Sequence, residues 1–466
     1  MKTAKLDGVK GTIRMLEGIF EVGLLTIIYY ITWRRGYDPG VFPFYYGYGK
    51  YVLSGIYALL MGVLFHNLDG FKFGFLKFSD VAISQLLAVG MTNFITYWQL
   101  CLIANVVIDP TPILFIIAVD VAVVIFCTAL FNKIYHHLYH SKNMVMIYGR
   151  ENAVVLKFKM ESRKDKYQIN RLISAEKELA YICEEISKYD AVIINDVEAG
   201  IRNEILKFCY KNKIRTYVTP KLSDIIVRGG TNINLFDTPL LLVRGKGLTS
   251  TERIMKRIFD LVLCLIAMIP ALPIMIIVAL AIKLEDGGPV FYKQKRATLG
   301  GEVFEILKFR SMIVDAEKPG QSIPATDKDP RITKVGNIIR ATRVDELPQI
   351  LNIIKGDMSI VGPRPERVEH VEEYERLIPE FGFRLKVKGG LTGYAQIYGK
   401  YNTTPYDKLR LDLMYIENYS LLTDIKLILM TIRIILKKES TEGFDKTLGN
   451  DQKIQDLIEE THNDKN

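Results

Sequence analysis

RIMKRIFDLVLCLIAMIPALPIMIIVALAIK, residues 253–283, decides the topology of the C-terminal half. Residues 258–282 are apolar and long enough to cross a bilayer, for which about 20 residues suffice. Two features argue against a crossing. Pro270 and Pro273 interrupt the middle, and a helix-interior proline removes a hydrogen bond and forces a kink. Both flanks are basic: Arg253, Lys256 and Arg257 before, Lys283, Lys293, Lys295 and Arg296 after. A spanning helix carries its basic excess on one side only. A re-entrant hairpin over 254–283, bent at 269–273 and returning to the side it left, satisfies both observations. An ordinary fifth span with a proline kink is the competing reading.

Upstream, four more apolar stretches occupy the first third, at 12–33, 51–65, 81–107 and 112–131. Each is near bilayer length. The first carries Glu17 and Glu21 and is the weakest. It reads as a retained span, because no small-residue cleavage site follows it. Lys2, Lys5, Lys10 and Arg14 precede it, Lys72 and Lys77 sit in the second loop, and Lys133 and Lys142 follow the fourth span. Basic residues favour the cytoplasm, so both ends of a four-helix unit, 1–142, are expected there. Arg34, Arg35 and Lys50 pull mildly the other way. His136 and His140 have the i,i+4 spacing of a metal pair or of a wet helix end.

The 466 residues are 49% hydrophobic with a formal charge of +9. A basic balance with long apolar runs points to anionic lipid or phosphate. Nucleic acid is not expected, since no basic stripe interleaves with aromatics. The five cysteines are scattered without a Cys-x-x-Cys, as in reduced core positions. From residue 143 the pattern changes to short apolar runs, at 144–150, 190–196, 214–219 and 240–244, with helical segments at 175–188 and 201–212 between them. Strands alternating with helices predict a parallel, Rossmann-like α/β domain over 143–245. It lacks the G-x-G-x-x-G of dinucleotide sites, so packing, oligomerisation or regulation is the expected role.

Downstream, 289–312 alternates in a strand-like way and 315–328 reads as a polar loop. Residues 340–365, RATRVDELPQILNIIKGDMSIVGPRP, carry the chemistry. Asp345 and Glu346 lie between Arg340, Arg343 and Arg364. Pro348 marks a helix start, so a helix is expected over about 348–354 with both carboxylates at its mouth. The pair could cap that helix, hold a divalent metal, or supply a nucleophile for phosphorus. Arginine forks suit phosphate oxygens. Carboxylate, metal and arginine are together the parts of phosphoryl transfer. Residues 421–438 are apolar but carry Lys426, Arg433, Lys437 and Lys438, which fits a helix lying in the membrane interface. Residues 439–466 form a polar tail.

Several blocks in order now carry a resemblance: KRIFDLVLCL (256–265), GGPVFYKQKR (287–296), FEILKFRSM (304–312), DPRITKVGNIIR (329–340), DELPQILNIIKGDMSIVGPRPE (345–366) and LTGYAQI (391–397). Over about 251–437 the chain resembles the bacterial sugar transferases, the polyprenyl-phosphate sugar-1-phosphate transferases. Its N-terminal half resembles their larger members, the undecaprenyl-phosphate glucose phosphotransferase type. The resemblance implies a catalytic domain over 251–438 in the bacterial inner (cytoplasmic) membrane, facing the cytoplasm, with Pro273 as the helix-breaking proline. It implies that Asp345 attacks a UDP-sugar, expels UMP and passes sugar-1-phosphate to undecaprenyl phosphate, starting exopolysaccharide, capsule or O-antigen synthesis. Glu346, with Asp345, would hold Mg²⁺. Arg340 and Arg364, and more weakly Arg310 and Arg331, would meet phosphate. Two positions depart from the pattern: Arg343 replaces a small polar residue, and Gly389 replaces a proline. A catalytically silent membrane scaffold and a homodimer are the further expectations to carry forward; a transporter is disfavoured by few buried ionisable groups.

Overall fold

The computed structural model describes residues 2–36, 48–138, 141–149, 153–235, 237–245, 247–314, 316, 329–399 and 403–435. The chain divides after Thr219 into two compact units.

The first unit begins with four long apolar helices, α1 (Lys2–Gly36), α2 (Gly49–Asn67), α3 (Phe78–Ala104) and α4 (Thr111–Leu138). Two of the acidic residues in these helices are held by polar partners. Glu21 and Asp120 are both fully buried. Glu21 accepts from the Gln85 amide at 2.8 Å. Asp120 accepts from the Tyr57 hydroxyl at 3.1 Å and the Asn93 amide at 3.0 Å. Buried polar groups need such partners, and here they tie neighbouring helices together. The His136 ring bonds to the Asn132 carbonyl oxygen, while His140 lies outside the described residues.

An α/β segment follows: β1 (Lys142–Tyr148), α5 (Ala153–Glu161), β2 (Tyr167–Ser174), α6 (Leu179–Ile186), β3 (Ala191–Asn195), α7 (Ala199–Lys211) and β4 (Arg215–Val218). The strands form a parallel sheet in the order β2-β1-β3-β4. Val145, Ile147, Val192 and Ile194 face α6 and α7, and Met144, Met146 and Ile193 face α5. Both faces are covered, as a parallel sheet requires. The loop after α5 reaches the loop between α2 and α3: Arg163 and Lys166 each donate to the Phe75 carbonyl at 3.2 Å. Two readings of the sequence change here. Residues 240–244 are not a buried strand of this sheet. Leu240–Leu242 instead pairs antiparallel with Thr231–Ile233, and its leucines are 43–52% exposed. The strand that completes the sheet is β2, on the edge.

The second unit opens with α8 (Leu222–Arg228) and the hairpin β5 (Thr231–Ile233) and β6 (Leu240–Leu242). Then comes α9 (Ser250–Asp286), assigned as one helix that contains Pro270 and Pro273. A capping box starts it, with Thr249 accepting from Glu252 N–H and the Glu252 carboxylate answering at 2.7 Å. Gly287 ends it in the left-handed conformation, φ 71°. Its apolar side chains are largely exposed, Ile269 by 77%, so water is the wrong solvent for it.

The rest of the unit is a small mixed α/β fold. The hairpin β7 (Phe291–Ala297) and β8 (Val303–Phe309) is antiparallel. After α10 (Lys334–Ala341) and α11 (Gln349–Lys355), β9 (Ser359–Val361) leads through α12 (Val368–Leu377) to β10 (Gly390–Thr392), which pairs parallel with β9. Helices α13 (Tyr394–Tyr398), α14 (Pro405–Glu417) and α15 (Leu421–Ile435) complete it. Lys437, Lys438 and the tail lie outside the described residues, as does nearly all of the 315–328 loop.

The basic flank of α9 is turned inward. Lys256 is buried and bonds Asp424 of α15 at 2.5 Å. Arg257 donates to the carbonyls of Ile353 and Ile354, at 2.5 and 2.7 Å, and so caps the C-terminus of α11. Asp260 accepts from the Ser359 hydroxyl at 2.7 Å and from Ile360 N–H at 3.2 Å. The root of α9 is therefore fixed against β9, α11 and α15.

Candidate active site

The site lies between α10, α11 and the turn after β9. Thr333 caps α10, accepting from Gly336 N–H at 2.9 Å. Gly336 permits a close approach, because a Cβ there would meet the Ser311 carbonyl oxygen at 2.0 Å. Helix α10, with Arg340 in its last turn, ends at Ala341, and the chain reverses through Arg343 at φ 59°. A left-handed residue with a side chain costs about 1–2 kcal/mol. That turn delivers a 3-10 segment, Val344–Glu346, from which both carboxylates project. Pro348 precedes α11 with φ −59°, the angle its ring prefers.

The two acids are treated differently. Glu346 Oε1 accepts from Lys308 Nζ at 2.7 Å and from Arg364 Nη2 at 2.9 Å. Burial alone would raise its carboxyl. Arg364 and Lys308 outweigh that and hold it well below the usual carboxylate range. Asp345 receives no hydrogen bond among the described residues. Its carboxyl is raised by burial, against the pull of Lys308, Arg340 and Arg343. One acid is clamped, and the other is open and surrounded by cations.

Arg364 is itself positioned from behind. Its carbonyl accepts from Arg384 Nη2 at 2.8 Å. Arg384 is 2% exposed and pairs with the equally buried Asp412 at 2.9 Å. Burial pushes the Asp412 carboxyl up to about 6, against the pull of Arg384. Asp412→Ala should leave a buried guanidinium short of its partner, at a cost of about 3 kcal/mol. Thermal unfolding of the detergent-solubilised protein checks this; an unchanged midpoint would mean that Glu366, 3.7 Å from Arg384, suffices alone.

The other sequence candidates are placed as follows. Arg310 forms a bidentate pair with Asp286 at the end of α9. Arg331 pairs with Asp329, its Nη2 at 2.6 Å. Both already have a carboxylate, and neither touches the acidic pair. Gly389 donates its N–H to the Thr298 hydroxyl at 3.1 Å, a bond proline could not make. Lys308 is the residue the sequence reading passed over. It shares the inward face of β8 with Phe304 and Ile306, both buried. A lysine on the apolar face of a strand was the available signal.

The residues fit a divalent cation of the magnesium type. Such an ion uses one or two carboxylates and takes its remaining oxygens from water and substrate phosphates. Asp345 has both oxygens without a donor among the described residues, and Glu346 receives its two hydrogen bonds on Oε1. No cluster of three or more metal-ligating side chains occurs among the described residues.

Residues 251–438 match the family model described as bacterial sugar transferase. The chain is 42% identical over 205 residues to the UDP-glucose:undecaprenyl-phosphate glucose-1-phosphate transferase of Escherichia coli, covering 43% of this chain and 42% of that one. It is 37% identical over 256 residues to the UDP-N-acetylgalactosamine-undecaprenyl-phosphate N-acetylgalactosaminephosphotransferase of Aeromonas hydrophila, covering 53% and 59%. It is 40% identical over 190 residues to the UDP-glucose:undecaprenyl-phosphate glucose-1-phosphate transferase of Caulobacter vibrioides, covering 40% and 71%. The chain thus spans about half the length of the first two relatives.

Proposed function

Since this chain belongs to the bacterial sugar transferase family, we propose that it transfers a sugar-1-phosphate from a UDP-sugar to undecaprenyl phosphate. The observation that carries the reading is the asymmetry of the acidic pair: Glu346 is locked by Lys308 and Arg364, while Asp345 is left without a donor. The Asp345 carboxylate attacks the β-phosphorus, and the bond to the bridging oxygen breaks. UMP leaves with that oxygen. A sugar-1-phosphate ester of Asp345 remains. The lipid phosphate oxygen then attacks the same phosphorus and returns the carboxylate, leaving a lipid-diphosphate sugar. One hard displacement becomes two easier ones.

Arg364 and Arg340 neutralise the phosphate oxygens as charge builds. Asp345 and Glu346 would hold Mg²⁺, which supplies charge neutralisation at the diphosphate. Arg310 and Arg331, already paired, act by holding the strand and loop around the site. The product opens an exopolysaccharide, capsule or O-antigen chain.

A re-entrant course for α9 fits this role. Among the described residues, five helices are long and apolar enough to cross a membrane, α9 among them. Both ends of α9 are tied to the same small fold. Arg257 and Asp286 are 29 residues apart (257 to 286), about 43 Å along a straight helix. Yet Arg257 bonds Ile353, the adjacent Asn352 bonds Leu307 N–H, and Arg310, three residues on, pairs with Asp286. Three side-chain reaches and about 10 Å of strand make a shorter route. A bend near Pro270 and Pro273 reconciles the two. With four spans before it, the catalytic unit stays on the cytoplasmic face of the inner membrane, where UDP-sugars are made. The 142–219 sheet is Rossmann-like in order, and its 163–166 loop bonds the loop carrying Lys72 and Lys77, which fits a cytoplasmic place for the sheet.

The test is UMP release by purified protein given undecaprenyl phosphate, Mg²⁺ and a panel of UDP-sugars. At least one donor should give turnover, and chelation of the metal should stop it. No release with any donor would favour the silent scaffold instead.

A further inference from the structure

The acidic pair sits in the middle of a short run: α10, the turn at Arg343, the 3-10 segment and α11. Both outer ends of that run are held by one helix, α9. Near the start of α9, Arg257 donates to the carbonyls of Ile353 and Ile354, in the last turn of α11. In the last turn of α9, Glu285 accepts from the first two N–H groups of α10, Lys334 at 2.8 Å and Val335 at 3.3 Å. Between these two ties, Met275 and Ile282 of α9 share a buried core with Ile339 of α10 and with Ile350 and Ile353 of α11.

Stability alone does not ask for the Glu285 bonds. They lie at the surface, where water can satisfy the first N–H groups of a helix. Thr333 already caps α10 from its own loop. What Glu285 adds is a tie between two elements far apart in sequence, favoured by the positive end of the α10 dipole. Helix α10 is only eight residues long, with Arg340 in its last turn, and the chain passes from it through Arg343 to Asp345. A shift of its first turn therefore carries to the acids. A misplacement of about 1 Å costs on the order of 10²-fold in rate.

We infer that Glu285 is a positioning residue for Asp345: by tying the first turn of α10 to the end of α9, it sets where the acidic pair stands relative to that apolar helix. This rests on the reaction proposed above, in which Asp345 must meet a lipid phosphate held at the membrane surface.

The experiment measures UMP release by the full-length protein and by Glu285→Ala, with the UDP-sugar alone and with undecaprenyl phosphate added. Glu285→Ala should lower kcat by about 10- to 100-fold, with a much smaller change in the KM for the UDP-sugar. The burst of UMP without acceptor should slow by the same factor, since the first displacement already depends on where Asp345 stands. A second variant separates a tie from a cap. Glu285→Ala with Thr333→Asp gives α10 a stronger cap of its own but no link to α9. Its melting temperature should return to the wild-type value while its rate stays low. Glu285→Gln keeps the acceptor oxygen and should recover part of the rate. A double variant that regains the wild-type rate reduces Glu285 to a helix cap and overturns the inference, as does a Glu285→Ala protein with unchanged kcat; the proposed reaction stands in both cases. A wild type that releases no UMP from any UDP-sugar overturns both.

Discussion

Asp345→Asn should abolish UMP release, by a factor on the order of 10⁴ or more, as removal of a covalent nucleophile does. The amide matches the carboxylate in shape but is not a nucleophile toward phosphorus. The substitution is clean at this position. Asp345 receives no hydrogen bond among the described residues, and burial raises its carboxyl, so neutralising it should leave the fold as stable as before. Loss of activity then cannot be laid to unfolding. With a donor labelled at the β-phosphate and no lipid acceptor, the wild type should carry label on protein and Asp345→Asn none. Label that persists in the variant removes Asp345 as the nucleophile. Glu346→Gln is the informative contrast. Its loss breaks the contacts to Lys308 and Arg364, so it should lower both rate and stability without removing the nucleophile itself.

How much of this was legible beforehand differs from element to element, for physical reasons. The helix after the acidic pair was readable because Pro348 fixes its own φ and Gly356 ends the helix at φ 102°, so both boundaries are written in single residues. The strand character of β7 and β8 was readable from alternation, but their antiparallel pairing was not. Strand β2 was not readable. Gln168, Asn170 and Arg171 interrupt its apolar pattern, because it is an edge strand with one side in water, and its register shifts opposite Met144 and Val145. Leu240–Leu242 misled in the opposite sense. Three leucines suggested burial, but a run of three carries no period, and the pairing partner lies only a short loop away. Lys256 and Arg257 counted as membrane-flanking charges, yet both are spent on interior partners, Asp424 and the end of α11. Charge counting sees the sign of a residue and not the acid or carbonyl, far away in sequence, that faces it. The same blindness hid Lys308, whose partner Glu346 is 38 residues on, and Arg384, whose role is to hold a carbonyl.

Lys308→Met carries the second large effect. Lys308 is the one lysine bonded to the acidic pair among the described residues, and it lies on a rigid strand. Removing a preorganised cation from a phosphoryl-transfer site costs about 10²–10³ in kcat. Lys308→Arg should recover part of that, since it keeps the charge but not the reach. The pH profile separates an electrostatic role from a packing one. Attack needs Asp345 ionised, so activity falls as pH drops through its pKa. Burial raises that pKa and Lys308 lowers it; taking Lys308 away raises it further, and the acid limb of the rate profile should move to higher pH. Stability follows the other acid. Glu346 is held below its ordinary range, so its contribution is full above the unfolded carboxylate pKa, about 4.3, and is lost as pH falls through the folded value. Lys308→Met should shrink that contribution, flattening the fall in melting temperature as pH is taken well below 4. If the variant loses rate while its acid limb and its pH-dependent melting stay where the wild type has them, Lys308 serves packing alone, and the charge that steadies the acidic pair comes from Arg364.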